Sequence, residues 1–195
     1  MPVKHSRDVS VDDPADCAYL NSDHKITNML GYELLDSQVL DSGSNLVYFG
    51  DLDLDEDSEY LIEFNGTVNP VSSVSYLKVV LNSDPTLIAE GVEHVAISDN
   101  AGHGYASMTY LCCGRCIAVQ PTKIISKAVL SKKVGEYLYF KSLSDVYGDT
   151  YVAQEGHNGV VRSSNNIISV SITPTTGTVL GTFLLWKKLP YSSDE

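Results

Sequence analysis

A chain of 195 residues with 43% hydrophobic and 19% charged side chains can bury one real core and is not expected to stay disordered. Its formal net charge of -12 repels phosphate backbones and anionic bilayers, which argues against nucleic-acid partners and acidic membrane surfaces. No apolar run approaches the roughly 20 residues that cross a bilayer, and the polar stretch from Met1 to Asp13 has no apolar h-region. Neither membrane insertion nor signal-driven secretion is expected.

Residues 1–36 show no strand pattern and read as an extended N-terminal anchoring arm. Asp12-Asp13-Pro14 and Asn21-Ser22-Asp23 are turn-like. The apolar spacing of Ile26, Met29, Leu30, Tyr32, Leu34 and Leu35 predicts one short helix over 25–35, weakened by Gly31. From residue 37 the period drops to two. Tyr60–Phe64 reads as a strand closed by an Asn65-Gly66 turn, and Ser75–Leu81 as another, ended by Asn82-Ser83-Asp84-Pro85. Glu93–Ile97 reads as a short strand, and 106–119 as an apolar stretch broken by Gly114. Lys123–Leu130 alternates, and Glu136–Lys141 reads as a well-buried strand. In 166–172, Ile168, Val170 and Ile172 share one face. Val179–Lys187 is apolar on both faces, with Val179, Gly181, Phe183 and Leu185 on one and Trp186 on the other. Residues 191–195 form a polar tail. Short strands spaced by turns, without helical crossovers, predict an all-β, antiparallel, jelly-roll-like β-sandwich over 37–190. A closing strand with two apolar faces must be covered on both sides, by the arm or by a neighbouring subunit. That reasoning nominates Phe183, Leu185, Trp186, Leu30 and Tyr32 as interface residues.

Chemistry-bearing motifs are sparse. Cys112, Cys113 and Cys116 surround Gly114; with Cys17, His94 and His103 they leave three states open. These are thiols packed along a strand around a glycine bulge, a disulfide, or half of a zinc site. The acid run Asp51–Glu59 lacks the glycine and the terminal Glu of an EF-hand and reads as a solvated turn. Ser98, Asp99 and His103 are close in sequence, as are Glu155 and His157, but no Gly-x-Ser-x-Gly elbow or oxyanion-hole motif supports them. No enzymatic activity, cofactor or resident metal is expected. Changes at Glu155 or Asp149 would test a polysaccharide-trimming alternative. Twelve tyrosines are better evidence for contact. Tyr147, Asp149 and Tyr151 form a candidate ligand-contact loop, because a rigid ring with a polar tip suits sugar or protein.

Val3-Lys4-His5-Ser6, followed by Asp12, Ala15-Asp16, Leu20 and Ser22-Asp23-His24, resembles the opening of tail-fibre-like bacteriophage proteins, without the Trp-Asn pair found there. Over residues 46–189, the stretches Leu52–Phe64, Tyr76–Val79 and Ile167–Trp186 resemble the first strand, its partner and the closing hairpin of a phage-associated β-sandwich. The resemblance implies a structural virion protein of a tailed bacteriophage, assembled in the bacterial cytoplasm. It further implies a homotrimer, bound to other tail or capsid proteins. A tail-fibre or tail-tip component is the first expectation, and a capsid-decoration or head-fibre protein the second. A host-glycan-binding module is the alternative from another class.

Overall fold

The computed structural model describes residues 19–20, 26–27, 31–54, 59–71, 74–84, 89–97, 103–116, 120–149 and 151–188. These form fourteen strands and no helix. The chain begins with β1 (Tyr19–Leu20), β2 (Ile26–Thr27), β3 (Tyr32–Ser44) and β4 (Val47–Phe49), then continues with β5 (Glu59–Asn69) and β6 (Ser75–Leu81). Next come β7 (Ala89–Ile97), β8 (His103–Met108), β9 (Leu111–Cys116), β10 (Thr122–Val134), β11 (Tyr137–Tyr147) and β12 (Val152–Arg162). It closes with β13 (Val170–Pro174) and β14 (Thr178–Lys188).

Two antiparallel sheets result. The large one has ten strands in the order β1-β2-β3-β14-β5-β10-β11-β12-β7-β8, and the small one has four, β4-β13-β6-β9. The all-β sandwich expectation holds, with layers of unequal width. Alternation explains why. β11 and β12 each bury every second side chain, so one face of each must be covered and the other must meet water. The small sheet covers the middle of the large one, and the core lies between them. Phe64 of β5 and Phe183 of β14 stack there, with ring centroids 4.2 Å apart.

Several local expectations need correction. Ile26–Thr27 and Tyr32–Leu35 are strand, not helix, because β14 offers Tyr32 and Leu34 a paired edge (Lys188↔Tyr32, Trp186↔Leu34). The arm boundary expected after residue 36 therefore falls inside β3. Asn65-Gly66 is not a turn: it sits mid-strand, paired to β10 on one side and β14 on the other. Glu136–Lys141 is buried on one face only, with Tyr137 and Tyr139 pointing out. Ile168 is exposed and precedes β13, while its neighbour Ile167 is the buried one.

The closing strand is covered by its own chain. β14 is an interior strand between β3 and β5. Phe183 and Leu185 face the small sheet at 0% and 1% exposure. Trp186 lies on the opposite face in a second cluster with Tyr32 and Leu61, flanked by Leu34, Val129 and Leu184, and its indole N–H donates to Glu63 at 2.8 Å. As interface candidates, Phe183, Leu185, Trp186 and Tyr32 are corrected to interior residues of the protomer. Leu30 lies outside the described residues. Tyr32 donates to Glu59, and burial together with this carboxylate pushes its phenol above the ordinary range.

Candidate functional site

Two places gather side chains with chemical or binding potential. The first lies where the small sheet ends. β9, its edge strand, packs across β10, β11 and β12. Gly114, at φ +139, makes a bulge there, and a Cβ on it would sit 3.0 Å from Ile124 and 3.3 Å from the Ser144 hydroxyl. The close approach leaves β9 carbonyls aimed at the large sheet, where serines satisfy them. Ser142 Oγ donates to the Cys112 carbonyl at 2.7 Å and Ser144 Oγ to the Cys113 carbonyl at 3.2 Å. Buried serines inside an apolar layer are stable only with such partners.

The three cysteines belong to this packing. All are buried thiols outside any disulfide. Their sulfurs are engaged separately: Cys112 with the Gly114 carbonyl, Cys113 with the Leu77 carbonyl and Cys116 with the Thr122 hydroxyl. Burial pushes the Cys113 thiol up to about 12 from 9.0. Among the described residues no three His, Cys, Asp or Glu side chains converge to hold a metal. Cys17 lies outside the described residues, as do the side chains of His94 and His103. We expect peptide-mapped alkylation to leave Cys112, Cys113 and Cys116 unmodified in the folded protein and to modify all three in denaturant. Stability should also fall above about pH 9. The unfolded thiol ionises there while the folded one stays protonated, so rising pH favours the unfolded chain until the folded value near 12 is passed. A flat unfolding midpoint from pH 8 to 11 would count against this burial.

Beside the cysteines, Glu155 and His157 project from the inner face of β12 and are buried to 0% and 3% exposure. Arg115 of β9 reaches Glu155, with Nε 2.9 Å from Oε1. Its guanidinium lies over the Tyr76 ring, which meets Tyr110 edge-on, and Lys78 lies over Tyr110. The carboxylate is thus held in an ion pair that fastens β9 to β12 across the layers. Glu155 thus serves this seam, and His157 is buried beside it on the same face of β12. Ser98 and Asp99 lie outside the described residues.

The second place is the outward face of the β10-β11-β12 meander. Tyr137, Tyr139, Leu143 and Tyr147 of β11 and Val152 of β12 are each between 41% and 51% exposed. Val92, Ser131, Tyr139, Lys141, Asn158 and Val160 line a shallow depression at one end. The candidate contact loop divides across the sheet. Tyr147 points out and Asp149 is exposed, but Tyr151 turns in, packs on the core and lies 3.3 Å from the Thr122 hydroxyl. Hairpin chemistry causes the division: the Gly148 N–H donates to the Tyr151 carbonyl, and Gly148 leaves the space the ring occupies.

In the acid run, Leu52 and Leu54 point inward, and their N–H groups donate to the Ile168 and Ile167 carbonyls. Asp53 accepts from Asn166 Nδ2 at 2.7 Å. Residues 55–58 lie outside the described residues. Asn65-Gly66-Thr67 has the Asn-x-Thr spacing of a glycan acceptor, yet it lies mid-strand rather than in the surface loop such acceptors occupy.

The chain matches no family model and no curated protein.

Proposed function

We propose that the protein is a non-enzymatic structural component of a tailed-bacteriophage particle, working through surface contact. The observation that supports this best is the outward face of β10-β11-β12. It is a rigid, fully paired meander carrying exposed tyrosine and aliphatic side chains in place of a cleft with reacting groups. Soluble domains seldom display contiguous apolar surface without a partner, and tyrosine is a favoured contact residue because its ring is rigid and its tip polar. Among the described residues the most deeply buried carboxylate, Glu155, is held in an ion pair. In this reading the protein associates with itself and with other virion proteins. The resemblance of residues 46–189 to phage sandwich proteins supplies the particle. A tail-fibre or tail-tip position is the first assignment, and a capsid-decoration position the second.

Gold-labelled antibody against this chain should decorate purified particles, and the labelled end separates tail from capsid. Particles that carry none of the chain would remove the proposal. A host-glycan-binding role draws on the Tyr139, Lys141 and Asn158 surface, where an aromatic plane adjoins polar groups. Glycan-array binding that disappears in Tyr139→Ala would favour that role over a purely structural one.

A further inference from the structure

We infer that the outward face of β10-β11-β12 is a two-fold interface with a second copy of this chain, the axis passing over Leu143 at right angles to the strands. The inference rests on the order of side chains along this face and does not depend on the protein's place in a virion.

The outward residues of β11 are Tyr137, Tyr139, Lys141, Leu143, Asp145 and Tyr147, and the last five form a series centred on Leu143. The series is symmetric about Leu143 in shape and opposite in charge. If a second copy is laid face to face with its β11 antiparallel, position 143 meets itself and every other position meets its mirror image. Lys141 then faces Asp145 of the partner subunit, and Asp145 faces the partner's Lys141. Tyr139 and Tyr147 face each other in the same exchange.

The flanking strands carry the same symmetry. The register sets Lys127, Leu143 and Gly156 side by side in the central row. One row away stand Ile125, Asp145 and Gln154 on one side, and Val129, Lys141 and Asn158 on the other. Across the axis Ile125 therefore meets Val129, and Gln154 meets Asn158. In the outermost rows Val152 meets Val160 on β12, while on β10 the unlike pair Lys123 and Ser131 meet. Aliphatic thus faces aliphatic on β10 and β12, amide faces amide on β12, and cation faces anion on β11. The like pair on the axis, Lys127 over Lys127, is offset by Glu63, which already lies 2.9 Å from each lysine. Gly156 in the central row leaves room beside Leu143.

The charges also choose the direction. Turning the partner so that the two β11 strands run parallel would set Lys141 over Lys141 and Asp145 over Asp145, and like charges directly opposed are destabilising. Three strands about 4.8 Å apart, over five rows about 6.8 Å apart, present roughly 400 Å² per copy, or about 800 Å² in total, the size of a weak association. Two sheets packed face to face about 10 Å apart also match the spacing of a sandwich.

Sedimentation velocity on the full chain at micromolar concentration should find a species of twice the 21.2 kDa chain mass. Lys141→Asp makes both cross-axis pairs acidic and Asp145→Lys makes both basic, so each variant alone should dimerise at least about tenfold more weakly. Mixed together, the two variants should recover a heterodimer, because each copy then offers the charge the other lacks. The double exchange K141D/D145K should also recover the dimer. Both positions are on the surface, and circular dichroism confirms that the fold is kept. A monomeric wild type, an oligomer of another size, an oligomer indifferent to the single exchanges, or single variants that do not rescue each other would overturn the inference.

Discussion

Gly181→Ala should unfold much of the protein at 37 °C, with a loss of about 3–5 kcal/mol read from urea denaturation. Gly181 lies mid-strand in β14 at φ +126, a backbone region that residues with a Cβ rarely enter. A Cβ there would sit 2.4 Å from the Asn65 carbonyl oxygen and 2.5 Å from Gly66 Cα. Both obstacles are backbone of the neighbouring β5, so neither can swing aside. Gly66 mirrors the situation, since a Cβ on it would lie 2.0 Å from the Leu180 carbonyl and 2.9 Å from Gly181 Cα. The two strands therefore touch, backbone against backbone, beside the Phe64–Phe183 stack. The loss is large against a total stability of about 5–15 kcal/mol. Gly156→Ala is the control. Its nearest contact would be the Ser142 carbonyl at an ordinary 3.7 Å, and the change should stay within about 0.5 kcal/mol. Equal effects from the two substitutions would mean that the backbone contact at Gly181 is not what limits this sheet.

Arg115→Ala should cost about 3 kcal/mol, because it strands a carboxylate that the fold has removed from water. Glu155 is 0% exposed and its Oε1 is 2.9 Å from the guanidinium. A surface ion pair such as Arg162 with Glu136 should contribute little, because water screens both groups. The double variant R115M/E155L should recover at least half of the loss, since a buried pair exchanged for apolar groups of similar size removes the desolvation cost along with the attraction. Urea unfolding of the wild type, both single variants and the double variant closes the cycle. A loss under about 1 kcal/mol for Arg115→Ala would show that this pair does not fasten β9 to β12.

Much of the fold was legible because sheets repeat with a period of two. Ser75–Leu81 occupies the bounds its alternation predicts, and Val179–Lys187 differs from β14 by one residue at each end. The need for cover on both faces of β14 was legible too, since Phe183 and Leu185 alternate with Leu184 and Trp186 on a strand without charge until Lys187. Which chain supplies that cover was not legible: alternation tells how many faces are buried and is silent about the neighbour. Asn65-Gly66 misled because the dipeptide marks a two-residue hairpin only when its flanking strands pair with each other. Here both flanks pair outward, with β10 and β14.

The binding face and the polar seam differ in the same way. Tyr147 was read in a contact loop and 136–141, with Tyr137 and Tyr139, as a well-buried strand, which hid the outward row they share. Glu155 and His157 were visible as neighbours, while Arg115, forty positions earlier, carried no sign that it would meet Glu155. The symmetry about Leu143 emerges only when the registers of β10, β11 and β12 are laid side by side.

The sequence alone determined the all-β class, most strand cores, the two-sided burial of the closing strand and the acidic surface, because these follow from local periodicity and summed charge. Only the tertiary structure decided that β14 lies inside the large sheet, that the Cys112–Cys116 run packs against serines, and that Arg115 neutralises Glu155. Those outcomes depend on which distant strands become neighbours, and pairing between sites scores of residues apart is set by how the whole core closes.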